Sequence, residues 1–486
     1  MKKLLSFIII LKLNLFPQSP AFYPQELLRL EGPGMGFNVE VHDINKDGKE
    51  DIIVGNWNDT YVYFGGADVL DDTVDIVYTG RCLAVCDYNG DGYKDVITMQ
   101  FTNYDSTRND YDGEILYYYG KDSIPTWDTN STYSVPLPTL YPTKDYFSLG
   151  LGRPGIEYGD FNKDEKSDIV INSLDARPDL VGVVYVYMGD EIPPDTATYS
   201  VSGKFVPGQA PVSFYGHYFQ VADINVDGYD DLLLSSKISK VPPALNPTDS
   251  LDVLHIYLGN ENFKFVKNGE SLRYESTLKN SNYSYGWFKR EFSMMDINGD
   301  GFNDLLISHY YKDSTLHVYY GSKNVIDTIP SFYLTDPDTA KEDIIIGQSC
   351  HDIGDWNNDG YNDFLLNSAG FKTFSAHLGG PYLSNRNPYG LRGLLEACYD
   401  FFPNKAVSCN DQNGDGIKDY VVTATCGFSG HGYVIIFKGR DDILVSTKEE
   451  KKELISGEFY IEQNFPNPFN PFTIIQYTVG ISQNVT

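Results

Sequence analysis

Of 486 residues only 6 are cysteine and 4 tryptophan, and positive charge is scarce, with 37 Lys and Arg against 67 Asp and Glu. No apolar run offers a transmembrane helix: the longest, Leu4 to Phe16, is too short and is interrupted by Lys12. Each shortage excludes something. Cys82 and Cys86 have no second Cys or His pair to complete four ligands, so the cysteines match no zinc spacing. In an oxidising compartment Cys398 has Cys409 or Cys426 as a partner within its repeat, with buried free thiols the equal alternative. The formal net charge of -30 repels phosphate backbones and anionic headgroups, which argues against nucleic acid and anionic membrane as partners. Catalytic signatures are missing as well: there is no GxSxG, HExxH, P-loop or CxxC. Ser429 and His431 are close in sequence but sit in a strand-to-strand turn, and His309, before Tyr310 and Tyr311, reads as a surface loop group.

What the chain has instead is rings and turns. Aromatics make up 14%, including 38 Tyr, beside 44 Gly, a mixture that suits pleated strands and tight connections better than helices. The expectation is an all-β fold. Residues 1–21 read as a secretory signal, with Lys2 and Lys3 ahead of the apolar stretch and small residues Ser19 and Ala21 at its end, so the mature chain is expected to begin near Phe22.

One unit recurs seven times. Asp43-Ile-Asn45-Lys-Asp47-Gly-Lys-Glu-Asp51 returns with leading residues Asp87, Asp160, Asp223, Asp296, Asp355 and Asp411. Each copy runs into a short apolar strand such as Asp51-Ile-Ile-Val or Asp231-Leu-Leu-Leu, and a further strand then closes on Gly65, Gly120, Gly189, Gly259, Gly321, Gly379 or Gly439. A fourth strand, for example Ser331–Thr335, fits before the next copy. Four strands repeated seven times describe a seven-bladed β-propeller, whose radial order protects strand edges. The last unit lacks its fourth strand, and Glu26–Leu30 stands where others carry it, so this segment is expected to close the ring.

A single Asp-x-Asn-x-Asp-Gly is an ordinary turn, because these residues favour turns without metal. Turn geometry alone does not call for three carboxylates in every one of seven copies. Oxygen ligands at positions 1, 3 and 5, a turn glycine at 6 and a carbonyl at 7 are what a hard cation needs from a short loop, and calcium suits such a loop better than magnesium. The candidate ligands are Asp43, Asn45, Asp47 and Asp51; Asp87, Asn89, Asp91 and Asp95; Asp160, Asn162, Asp164 and Asp168; and Asp223, Asn225, Asp227 and Asp231. The remaining copies contribute Asp296, Asn298, Asp300 and Asp304; Asp355, Asn357, Asp359 and Asp363; and Asp411, Asn413, Asp415 and Asp419. Up to seven Ca2+ follow, with the loop led by Asp160 expected to be weakest because Glu165 replaces the turn glycine.

On these residues the chain resembles the FG-GAP repeat family, the propeller units of integrin α subunits and of many bacterial exported proteins. The resemblance covers residues 22–440 and implies calcium in loops along one rim. A second resemblance lies beyond the charged linker 441–457. Glu462-Gln-Asn-Phe-Pro-Asn-Pro-Phe-Asn-Pro471 followed by Thr473–Tyr477 looks like the start of the type A sorting domain of the type IX secretion system, here 458–486 and short of a full β-sandwich. That resemblance implies the type IX machinery as a partner and a secreted or cell-surface location.

Strand alternation places the connections between the second and third strands opposite the acidic loops. Segments Asn103–Gly113, Asp175–Gly182, Lys237–Asp252 and His309–Ser314 vary most, and Trp57, Tyr104, Tyr111, Tyr310 and Phe371 add aromatics. Loops on a rigid scaffold are where recognition concentrates. The reading is a non-enzymatic adhesion or ligand-binding module for an extracellular protein or glycan, and the alternative is a polysaccharide-degrading enzyme using the same face.

Overall fold

The structure is a computed structural model. It describes residues 25–440 except 37, 57, 66–71, 106–109, 122–129, 137–155, 174–182, 203–211, 214–217, 240–249, 264–272, 275–291, 310–314, 324–329, 336–348, 369–372, 382, 384–388, 393–404 and 427–430, and beyond them 459–461 and 477–479. The expected signal segment, the charged linker, the phrase 462–471, Trp57, Tyr310 and Phe371 lie outside the described residues. The chain divides into two compact units, Met1–Arg440 and Asp441–Thr486. In the second unit the described residues form one strand pair, Phe459–Ile461 with Tyr477–Val479.

Among the described residues the fold is all β, and the first unit is a ring of seven four-stranded antiparallel blades. Blade 1 runs outward from Asn38–His42 through Asp51–Gly55 and Asp59–Tyr63 to Ile76–Thr79. Blades 2 to 6 repeat that order. Their innermost strands are Arg81–Cys86, Ile156–Gly159, Phe219–Ala222, Phe292–Met295 and Cys350–Gly354. Blade 4 is irregular, since Val212–Ser213 and Phe219–Ala222 both pair with Asp231–Ser239. The innermost strands neighbour one another in sequence order, and Lys405–Cys409 of blade 7 returns to Asn38–His42.

Closure happens as the sequence implied. Glu26–Pro33 pairs antiparallel with His431–Phe437 as the outer strand of blade 7, so the last blade is built from both ends of the repeat array. Leu30, Met35, Val39, Ile52, Val421, Val434 and Ile436 form one apolar cluster across that seam. The second strand of each blade is buried on both faces, as Ile52, Ile53 and Val54 or Leu232, Leu233 and Leu234 show. Its side chains fill the spaces between neighbouring blades, which is why these strands are continuous apolar runs and not alternating ones. Cys409 is a buried free thiol, and Cys398 lies outside the described residues.

Two of the segments expected to be variable loops are partly strand. Asp95–Asp105 and Asp110–Tyr118 stay paired out to Asp105 opposite Asp110, bringing Tyr104 opposite Tyr111, and Asp231–Ser239 and Ser250–Tyr257 stay paired to Ser239 opposite Ser250. Among the described residues the second strands of blades 2 and 4, 11 and 9 residues long, are the longest of the seven and extend on the face opposite the acidic loops. The β-branched and aromatic residues of these segments support continued pairing, which loop length alone did not reveal.

Replacing Leu30 with Ala should lower stability by about 2–5 kcal/mol, since it empties a buried site in the seam. A urea unfolding curve with an unchanged midpoint would show that the seam contributes nothing. His377 is buried in blade 6, stacked on Phe364 at 5.2 Å, and burial pulls its pKa down to about 3. The unfolded chain takes up this proton below about pH 6.5 and the folded chain does not, so the imidazole contributes stability above that pH that is lost on acidification. Between about pH 6 and 4 the wild type should lose roughly 1.4 kcal/mol per pH unit more than His377→Gln. Parallel stability–pH curves for the two proteins would contradict this.

Candidate metal centres on one rim

Each acidic loop joins the innermost strand of its blade to the second, so all seven lie on the same rim. Numbering each loop from its leading Asp, six copies share one hydrogen-bond pattern. The leading carboxylate accepts the position 5 N–H at 2.8–3.1 Å and the position 6 N–H at 2.8 Å in blades 1 to 6. The Asn side-chain oxygen at position 3 accepts the position 5 N–H, and its amide donates to the carboxylate at position 5. The position 5 carboxylate in turn accepts the position 7 N–H.

The last carboxylate of the motif does something different. Asp51, Asp95, Asp168, Asp231, Asp304, Asp363 and Asp419 are all fully buried. In every blade one oxygen accepts the N–H of position 2 at 2.8–3.2 Å. The other accepts the N–H of the glycine that ends the third strand at 2.8–2.9 Å. This side chain staples the loop to the far end of its blade, and it explains the closing glycines. A Cβ on Gly65, Gly120, Gly189, Gly259, Gly321, Gly379 or Gly439 would collide with the carbonyl of position 8. Burial pushes Asp51, Asp95, Asp168, Asp231 and Asp304 up to about 7, against the pull of their hydrogen bonds, and the acids at positions 5 and 1 push in the same direction. The three carboxylates of a loop therefore feel one another.

Two further positions escaped the sequence reading. Position 2 is a buried anchor in six blades: Ile44, Tyr88, Phe161, Ile224, Ile297 and Trp356 lie in the core between blades, and only Gln412 breaks the series. The run of apolar residues there was the available signal. Position 4 is left-handed in every loop, at Lys46, Gly90, Lys163, Val226, Gly299, Asn358 and Gly414, with φ from 57° to 78°. Gly and Asn in four copies were the signal for it.

Glu165 does not distort its loop. It takes the glycine-like φ of 67°, and its N–H bonds Asp160 at 2.8 Å as in the other loops, so the substitution is absorbed as local backbone strain. The loop that departs is the seventh. Asn413 turns to Asp419 at 3.3 Å, and Lys438 reaches the Asp415 carboxylate at 2.6 Å.

The donor set fits a hard cation, being oxygen throughout, and most carboxylate oxygens that accept an N–H keep a second lone pair, although Oδ1 of Asp87, Asp296 and Asp411 each accepts two. Still, among the described residues no three His, Cys, Asp or Glu side chains already converge as a cage, because the loop acids are turned onto their own backbone.

Neighbouring loops are also stitched together. The position 1 carbonyls of Asp87 and Asp160 accept the N–H of Ser167 and Asp230 from the following blades. Lys46 lies 3.5 Å over the Tyr93 ring of the next loop.

The chain is similar to an integrin α subunit. It shares 21% identity over 234 residues with integrin alpha-5 of Xenopus laevis, covering 47% of this chain and 21% of that protein. No family model matches the chain. The similarity and the seven-bladed ring together support an FG-GAP-type propeller, and no helix among the described residues is long and apolar enough to cross a membrane. The match spans about a fifth of the integrin subunit.

Val226 is β-branched, half-exposed and held at φ 57°, a conformation that costs an L-residue about 1–2 kcal/mol. Val226→Gly and Glu165→Gly should each raise the urea midpoint by about 1 kcal/mol of stability, less a share for glycine's greater freedom when unfolded. A loss of stability in both would mean that the loops are not strained as described.

Proposed function

We propose that this protein is an exported, calcium-stabilised ligand-binding module of the cell surface or surroundings, which presents the face opposite its acidic loops to an extracellular protein or glycan. The observation that carries the reading is the repetition of one acidic loop in all seven blades of a closed ring, with the same hydrogen bonds in six of them. Positions 1, 3 and 5 would hold Ca2+, with the position 7 carbonyl, and the position 9 staple keeps those residues in place. Bound calcium supplies only charge compensation and coordination, and the loops' own work is to orient the rim and hold neighbouring blades in register. The loop led by Asp411 is the least suited, since Lys438 already compensates Asp415. The N-terminal apolar stretch and the phrase 462–471 are proposed as export signals, the second for type IX secretion.

Ligand-binding propellers of this sort need stiffness more than chemistry, because a rigid rim lowers the ordering cost of the loops that meet the partner. Adding calcium should raise the melting temperature by mass action on the folded state, more than magnesium does, and a chelator should reverse it. Asp296→Ala or Asp300→Ala should lower the stoichiometry measured by isothermal titration calorimetry by one site. Heat-neutral titration with no thermal shift at millimolar calcium would leave the loops as turns.

A further inference from the structure

The axis of the ring carries polar chemistry that the rim does not use. In each blade, the inner-strand residue paired with the second residue after the stapling Asp lies at one level of the channel. At that level stand Glu40, Glu157, Gln220, Ser293 and His351, while blades 2 and 7 supply the apolar Ala84 and Val407. Two residues further towards the face opposite the acidic loops, Lys405 and Asn38 share a level.

The side chains meet across blades. Lys405 Nζ donates to Glu40 at 2.7 Å and to Asn38 Oδ1 at 3.1 Å. The Tyr158 hydroxyl, from blade 3, reaches Glu40 at 3.4 Å and His42 Nε2 at 2.9 Å, past the small Ala84. Burial acts against the Glu40 charge, but Lys405 and His42 outweigh it and hold Glu40 down at about 2. Glu157 behaves oppositely: burial, reinforced by Glu40 and only partly offset by Lys405, lifts it to about 8. Burial and the Lys405 charge hold His351 at about 4. Near neutral pH the level therefore contains one compensated ion pair, an uncharged carboxyl and an uncharged imidazole. No hydrogen bond to the Glu157 carboxyl is found among the described residues, and the residue is only partly buried. Its carboxyl is thus open to the channel, and titratable groups with shifted pKa values gather where ligands are met.

We propose that this axial level is a binding site for an uncharged polyhydroxylated ligand, a neutral sugar residue presented end-on by a glycan and held between the Glu157 carboxyl and the Lys405 ammonium. The proposal rests on the ligand-binding reading above and narrows it. A sugar hydroxyl both donates and accepts, which matches a protonated carboxyl and the one Lys405 N–H left after Glu40 and Asn38 are served. An anion would compete with Glu40 for Lys405 inside a chain of net charge -30. A cation would require Glu157 to ionise beside Glu40. The long hairpins of blades 2 and 4 flank blade 3, which carries Glu157, on the face from which Lys405 is approached.

The test is isothermal titration calorimetry on the full chain with cellohexaose, mannohexaose, xylohexaose and laminarihexaose. At least one should bind saturably. Glu157→Gln, which keeps a donor and an acceptor, should retain affinity within about threefold, whereas Glu157→Leu should weaken it about tenfold or more while leaving the melting temperature unchanged or higher. Unaltered affinity in Glu157→Leu would overturn the site, as would a ligand lost in Glu157→Gln with strong salt dependence, the mark of a cationic partner. If only acidic glycans or a purified cell-surface protein bound, the axial site would fall and the ligand-binding reading would stand; if nothing bound, both would fall.

Discussion

The structure depends on one buried carboxylate used seven times. The Asp that ends each acidic motif accepts one N–H from the loop and one from the glycine that closes the third strand, fully withdrawn from water. Leaving either N–H unpaired would cost about 1–3 kcal/mol, so the staple couples the rim to the strand that lies outside it. It also dictates the closing glycine, because the position 8 carbonyl occupies the space a side chain would need. The motif and the strand end are one device, written in the sequence as two separate signatures.

The staple makes each blade stiff, and two other contacts make the blades a ring. Apolar faces pack blade against blade, and the seam is closed by Glu26–Pro33 pairing with His431–Phe437. A ring closed this way shares strain among blades, so a loop with Glu165 or Val226 in a left-handed conformation keeps its geometry because its neighbours over-determine it. Electrostatics works on the same scale. Carboxylates gathered on one rim destabilise the bare ring by mutual repulsion, which is the physical reason a divalent cation there would stabilise it.

The channel shows the opposite arrangement. There charges are few and matched, with Lys405 against Glu40, while Glu157 and His351 are held uncharged by burial. On the proposed reading, an acidic rim and a polar axis would separate two tasks, holding the scaffold and meeting a ligand, along the same inner strands.

Much of the architecture was legible in the chain because it is repeated. The period of the acidic motif, the apolar run after each copy and the vacancy in the last unit implied seven blades and the closing role of the N-terminal strand, since local turn chemistry and buried-strand composition are read directly from residue order. Positions 2 and 4 carried a signal in their apolar and Gly/Asn content, but it went unread until the fold showed one buried between blades and the other in a left-handed turn. The rest lay outside residue order. Glu40, Tyr158 and Lys405 come from blades 1, 3 and 7, and nothing local marks them, because their meeting is created by ring closure. Likewise the staple links residues 14 to 28 apart, and whether a carboxylate faces a cation or an amide is decided by what the folded chain brings to it.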